Sequence, residues 1–167
     1  MTPRDALIAE ARRYLGKREQ MVNGKPSNRS TLIDAWNTEV AAPLGSPYCC
    51  SGVSQWGVQG VGRSAWPFKL TASVATLVAE CQRNGLFSRD VRQARVGDLV
   101  VFYFDSLARW AHIGVVVTLT PKFVTSVDAN TTPSVPAGTA ADRDGSGVFE
   151  KTRPIGPHVG FCLWPAT

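Results

Sequence analysis

Cys49 is the residue of this 167-residue chain best placed to act as a nucleophile. A helix is expected to begin at Cys49 or one residue before it, because Pro47 restricts the backbone just before that point. A thiol in the first turn of a helix meets the positive end of the helix dipole and free backbone N–H groups, which favour the thiolate. Taken alone, Cys49 could also be a small buried side chain. That interpretation is applied to the other three cysteines, which are Cys50, Cys81 and Cys162.

A cysteine nucleophile needs a base, and the chain contains only two histidines. His112 opens a predicted strand, so a rigid sheet edge would present its ring to the tip of the Cys49 helix. The alternative is a core histidine that is satisfied by one hydrogen bond. His158 lies in a loop near the end of the chain and is interpreted as a surface residue.

A third group should hold the imidazole by its other nitrogen. The next predicted strand runs into Asp128 and Asn130, and if it pairs antiparallel with the His112 strand, its far end returns near His112. Alternation along a strand lets both side chains point to the same side. Either Asp128 or Asn130 could therefore orient His112, although both could also be ordinary residues of a strand-ending turn.

Four helices are expected to carry or support these residues. The first spans about Pro3 to Leu15 with Thr2 as its cap, and a short second helix begins near Ser30. The third begins at Cys49 or one residue before it, and the fourth spans about Thr71 to Asn84 with Thr71 as its cap.

About five strands are expected in the second half of the chain, where short β-rich runs alternate with turn signals. They are Leu99 to Phe104, Ile113 to Leu119, Phe123 to Val127, Val148 to Lys151 and Phe161 to Trp164. Helices followed by strands indicate an α+β fold, with N-terminal helices packed on one side of a C-terminal antiparallel sheet. The long segment from Thr131 to Gly147 is predicted to be either a mobile or a functional loop.

Length and composition predict one domain covering residues 1–167. No secretory signal or membrane-spanning segment is visible, which predicts synthesis in a cytoplasm without membrane insertion. The net charge of +5 favours polyanionic partners, but no nucleic-acid motif occurs and nucleic-acid binding is not expected. The cysteines have no CxxC spacing, so neither a zinc knuckle nor a redox pair is indicated.

Taken together, these residues resemble a known family, the CHAP amidohydrolases of the NlpC/P60 superfamily, which are papain-like peptidoglycan hydrolases. The resemblance rests on the order and spacing of four segments and extends over nearly the whole chain. These segments are PYCCSGVS at 47–54, VGDLVVF at 96–102, HIGVV at 112–116 and DAN at 128–130. In that family an aromatic residue precedes the catalytic cysteine, a His-hydrophobic-Gly strand brings the base, and an acidic-x-Asn segment completes the site.

The resemblance implies a thiol hydrolase that cuts an amide bond in bacterial peptidoglycan and uses no cofactor. It implies catalytic roles for Cys49, His112, Asp128 and Asn130. Within the family, the chain resembles the catalytic domains of phage endolysins. Cys50 stands where the family usually has a small apolar residue, but the position after Tyr48 favours Cys49 as the nucleophile.

Three aromatic residues are candidates for binding substrate: Tyr48, Trp66 and Trp110. Ordinary packing is the alternative for the two tryptophans. Arg109 and Arg63 could pair with carboxylates of a wall peptide, although a solvated surface position is the simpler expectation. Some relatives bind calcium through an Asp-rich loop before the cysteine, and since Glu39 is the only acidic residue between 38 and 48, no metal site is expected.

Several functional alternatives remain open at the level of sequence. The bond could be the muramoyl–L-alanine amide or one within the stem or cross-bridge peptide. The chain could serve as an endolysin, an antibacterial effector or a virion-associated hydrolase, and a monomer is expected in each case. Rivals from other classes are a wall-binding module without turnover and a thiol redox protein.

Overall fold

Residues 1–166 are described by a computed structural model, and they form five α-helices and eight strands. The helices are α1 (Pro3–Arg12), α2 (Thr31–Glu39), α3 (Cys49–Val61), α4 (Val74–Arg83) and α5 (Ala140–Arg143). The strands are β1 (Met21–Val22), β2 (Lys25–Pro26), β3 (Phe87–Ser88), β4 (Leu99–Phe104), β5 (Arg109–Leu119), β6 (Phe123–Thr131), β7 (Gly147–Pro154) and β8 (Val159–Cys162). Short 3-10 helices cover Val91–Gln93 and Asp105–Leu107.

Three of the helices begin at hydrogen-bonding caps of the kind expected from sequence. Thr2 and Asp5 form a reciprocal capping box at the start of α1, and Ser30 accepts from the backbone of Ile33 in α2. The predicted cap of α4 was wrong by two residues, because Ser73 accepts from the backbone N–H of Thr76. The Thr71 hydroxyl instead accepts from the backbone N–H of Ser73, so it supports the cap from outside the helix.

The α+β fold is confirmed, with a six-stranded antiparallel sheet in the order β3-β8-β4-β5-β6-β7. All five predicted strands are present. The sixth, β3, has only two residues and pairs with β8 at the edge, and it is too short to show alternation in the sequence. The segment after α1 contains a two-stranded hairpin, in which β1 pairs antiparallel with β2.

The sheet has an apolar layer on each face. On one face, β4, β5 and β6 pack against the helices, where Val53 and Leu77 meet Ile113, Val115 and neighbouring side chains. The other face carries a smaller apolar cluster built from residues of β4, β5, β6 and β8: Val100, Phe102, Phe104, Val116, Val124, Val159 and Phe161. Within residues 1–166, no helix combines the length and apolarity that crossing a bilayer requires.

The segment between β6 and β7, predicted as a mobile or functional loop, contains the short helix α5. Asp142 in this helix is buried and accepts hydrogen bonds from the Arg153 side chain of β7 and from the backbone N–H of Gly138. The ammonium of Lys151 pairs with the same carboxylate at 2.5 Å. These contacts attach the segment to the sheet.

Gly57 allows α3 to approach Trp66 closely. A β-carbon at Gly57 would overlap with the indole ring of Trp66, which is buried and packs edge-on against Phe68 and Trp164. We predict that Gly57→Ala lowers the free energy of unfolding by about 1–3 kcal/mol, because this overlap outweighs the better helix propensity of alanine. Urea denaturation measures the change.

Gly156→Ala is the matched control, since a β-carbon there meets no atom within 4 Å. Its expected effect is within about 0.5 kcal/mol. Equal stabilities for the two variants would contradict the role assigned to the Gly57–Trp66 contact.

Candidate active site

Cys49 is the first residue of α3, as the sequence predicts. Tyr48 occupies the N-cap position and makes no side-chain capping hydrogen bond, and the first turn contains no acidic residue. The first N–H groups of a helix have no partner inside the helix. These N–H groups and the positive end of the helix dipole therefore lie next to the Cys49 thiol.

The Cys49 side chain opens onto a surface groove of about 360 Å³. The groove runs between the loop that precedes α3, the residues 71–75 at the start of α4, and the first residues of β5. Arg143 of α5 lines it from another side. Cys49 is 3% exposed and lines this groove.

His112 lies in β5 and bonds to Asp128 in the neighbouring strand β6. Its Nε2 atom is 2.8 Å from Oδ2 of Asp128, and both side chains are fully buried. The other ring nitrogen, Nδ1, has no hydrogen-bond partner of ordinary geometry among the described residues and is the nitrogen left for a thiol. The Cys49 thiol is close enough to raise the pKa of His112, although no hydrogen bond of ordinary geometry joins the thiol to Nδ1.

The charge state of this pair follows from its surroundings. Burial alone would lower the pKa of His112, but the interactions with Asp128 and Cys49 outweigh it and raise the pKa to about 9. Burial would raise the pKa of Asp128, but the Arg153 guanidinium and His112 lower it to about 2. At neutral pH the pair is therefore an imidazolium next to a carboxylate.

Asp128 reaches His112 by passing over Gly114, which is two residues further along β5. A β-carbon at Gly114 would overlap with the Asp128 carboxylate, so only glycine leaves room for this contact. Ser126 lies on the same face of β6, and its hydroxyl donates to Oδ1 of Asp128 at 2.5 Å. The two oxygens of Asp128 thus have separate partners, which fixes the carboxylate plane.

Arg153 is a site residue that the sequence analysis missed. Its Nη1 donates to Oδ2 of Asp128 at 2.6 Å, and its Nη2 donates to Oδ1 of Asp142 at 2.7 Å. The guanidinium is 2% exposed and lies 4.3 Å from the centre of the Phe102 ring. A chain of alternating charges consequently runs from His112 through Asp128 and Arg153 to Asp142. Arginine in an alternating strand gives no signal in the sequence that it points inward.

Asn130 does not contact His112 in the structure. The β6–β7 pairing shifts between Asp128 and Thr131, and Asn130 itself has a positive φ of 58°. The alternation that would have placed Asp128 and Asn130 on one side is therefore broken, and that expectation was wrong. The Asn130 amide donates to Asp144 at 3.4 Å instead, which leaves Asp128 as the residue that orients His112.

Of the three aromatic candidates, only Trp110 lines the groove. Its ring is held edge-on by Phe87 and Tyr103. Tyr48 is fully buried against Trp36, and Trp66 packs in the core under α3, so the structure does not bring either of them to the groove. The expectation that Tyr48 and Trp66 bind substrate is corrected, because an aromatic side chain gives the same sequence signal whether it faces substrate or core.

The remaining cysteines lie in the core. Cys50, Cys81 and Cys162 are buried and none forms a disulfide. Burial raises the pKa of the Cys50 thiol well above its ordinary value, which keeps it protonated. Of the two adjacent cysteines, Cys49 lines the groove and Cys50 does not.

Two further observations concern the surroundings of the site. Arg109 lines the groove beside Trp110, whereas Arg63 does not. Among residues 1–166, no three side chains of His, Cys, Asp or Glu come together in a way that could hold a metal ion.

Comparisons with family models, curated proteins and solved structures give no match to this chain.

The negative charge of Asp128 raises the pKa of His112, which makes the stability of the fold depend on pH. With a folded-state pKa of about 9 and an unfolded value near 6.5, protonation of His112 stabilises the fold fully below about pH 6.5. That contribution is lost as the pH rises through 9. We predict that Asp128→Asn lowers the pKa of His112, because burial then acts without a carboxylate to oppose it.

NMR titration of the His112 ring in both proteins measures this difference. The free energy of unfolding of the wild type should fall between pH 6.5 and 9 relative to the variant. An unchanged His112 midpoint in Asp128→Asn would contradict the assigned contact.

Removal of the buried Arg153 guanidinium should lower the free energy of unfolding more than removal of an exposed guanidinium. Arg153→Met leaves Asp128 and Asp142 buried without their main counter-charge, and we predict a loss of about 3–5 kcal/mol in unfolding free energy. Arg12→Met is the control, because the Arg12–Glu150 ion pair is solvent-exposed and worth less than about 1 kcal/mol. Guanidinium chloride denaturation at pH 7 tests both, and similar losses would disprove the ranking.

Proposed function

We propose that this protein is a peptidoglycan hydrolase that cuts an amide bond by a cysteine–histidine mechanism. One arrangement carries the proposal. A thiol at the start of a helix lies beside a buried histidine whose far nitrogen is bound to an ionised aspartate. A nucleophile, a proton carrier and an orienting carboxylate in that order are the parts that acyl transfer to a thiol requires.

In the first half of the reaction, the Cys49 thiolate attacks the carbonyl carbon of the substrate amide. The neighbouring imidazolium of His112 supports the thiolate before attack and then gives its proton to the departing amine. The backbone N–H groups at the start of α3 are available to the oxygen that becomes negative, because no side chain caps them. The product of this half is an acyl group on Cys49 and a free amine.

In the second half, neutral His112 takes a proton from water, and the resulting hydroxide attacks the thioester. The carboxylic acid leaves and the Cys49 thiolate returns beside an imidazolium. Asp128 keeps the imidazole in one orientation and stabilises its cationic form in both halves. Arg153 acts through Asp128 and is a positioning residue, since it holds that carboxylate in place.

The choice of a wall peptide as substrate rests on two supports. The segments around Cys49, His112 and Asp128 resemble the CHAP hydrolases in order and spacing, and those enzymes cut peptidoglycan amides. The net charge of +5 suits a polyanionic surface such as a bacterial cell wall. A muramoyl–L-alanine amidase and a peptide endopeptidase use the same chemistry, so the proposal covers both bonds.

Replacement of the nucleophile tests the proposal directly. We expect Cys49→Ala to lower the release of soluble fragments from purified cell walls by about 10³-fold or more, since the acyl-enzyme cannot form. Cys50→Ala removes the adjacent thiol from the core and should keep its activity, with some loss of stability. Circular dichroism confirms that each variant is folded. Wall lysis by folded Cys49→Ala at the wild-type rate would refute the mechanism.

Mass spectrometry of the released fragments identifies the bond. Amidase action leaves the muramic lactyl group as a free acid, whereas endopeptidase action leaves both glycan and first amide intact and creates a new peptide terminus. Walls of several chemotypes should be compared. If the wild-type protein releases no fragment from any of them, the hydrolase proposal fails.

A further inference from the structure

The groove that exposes Cys49 is cationic. Among the described residues that line it, none is aspartate or glutamate, whereas two are arginines, Arg109 and Arg143. Arg109 is exposed, and Arg143 is half-buried. Within residues 1–166, neither of these side chains forms an ion pair, while Arg4, Arg29 and Arg153 are each paired with a carboxylate.

Both arginines are attached to parts of the molecule that are held in place. Arg143 follows Asp142, whose carboxylate is anchored in the protein by Arg153 and Lys151. The guanidinium carbon of Arg143 also lies 6.0 Å from the centre of the Phe104 ring. Contacts of this kind limit the positions that a side chain can take before a ligand arrives, which lowers the entropic cost of binding.

Arg109 is held through the strand. It pairs with Phe104 of β4 at the end of the β4–β5 ladder and is followed by Trp110, whose ring is fixed by Phe87 and Tyr103. The two arginines therefore line one groove from different elements, one from the sheet and one from the β6–β7 segment. A planar guanidinium donates two parallel hydrogen bonds to a carboxylate, which makes arginine well suited to this ligand.

We infer that this groove binds peptides that carry a free carboxylate close to the amide bond that is cut, and that Arg109 and Arg143 recognise that carboxylate. The inference rests on the proposed function for the cut itself, but the binding preference follows from the groove alone. A neutral carboxamide at the same position would leave the two guanidinium groups without a counter-charge. The protein should consequently discriminate between acidic and amidated forms of one wall peptide.

Two matched pairs of purified muropeptides test this inference. In one pair the second residue is isoglutamate or isoglutamine, and in the other the diaminopimelate side carboxylate is free or amidated. We expect the wild-type protein to show a KM about tenfold lower for the acidic member of at least one pair, with similar kcat. Arg109→Gln and Arg143→Gln should each reduce that preference, mainly through KM.

Arg63→Gln is the matched control, because it makes the same change in net charge outside the groove. It should leave the preference unchanged. The inference is overturned if the wild type treats both members of both pairs alike, or if Arg63→Gln reduces the preference as much as the groove variants do.

A binding measurement separates this inference from the proposed reaction. Titration calorimetry of Cys49→Ala with each pair reports affinity without turnover. Preferential binding of the acidic member, with no cleavage by the wild type, would support the carboxylate site and sink the hydrolase proposal. Cleavage without any preference for the acidic member in KM or in affinity would support the hydrolase proposal and refute the carboxylate site.

Discussion

A buried negative charge on Asp128 is the constraint on which the candidate site depends. Its carboxylate lies between the His112 imidazole and the Arg153 guanidinium, and a hydroxyl from Ser126 satisfies its other oxygen. An unpaired carboxylate at zero exposure would take up a proton. With these partners it stays ionised, and the histidine beside it stays cationic. The charge of His112 is thus set by residues that do not line the groove.

The antiparallel sheet makes this arrangement possible because it places three residues of the candidate site on three adjacent strands. His112, Asp128 and Arg153 belong to β5, β6 and β7, which are neighbours in both sequence and sheet order. Gly114 opens the space through which the carboxylate passes. The helices contribute from the other face by bringing the N-terminus of α3 to the same edge. The sheet therefore supplies His112 of the candidate site, and the helix layer supplies Cys49.

The predictable part of the molecule is the part that depends on local patterns. Thr2, Pro3 and Ser30 marked helix starts, and short β-rich runs between turn signals marked the five longer strands. The position of Cys49 in the first turn of α3 followed from the same local signals. What failed depends on long-range geometry. Asn130 was misplaced by an irregularity in strand pairing, Trp66 and Tyr48 turned inward, and Arg153 gave no sign in sequence that it would be buried.

The distribution of the four thiols has a practical consequence for chemical biology. Three of them are buried in the apolar interior, and the fourth, Cys49, lines the groove. Because thiol reactivity depends on access and on the thiolate, an electrophilic reagent meets one attachment point on the native molecule. A fluorophore or affinity tag could then be installed with one-to-one stoichiometry and without first deleting cysteines. Burial would protect the other three thiols from the reagent.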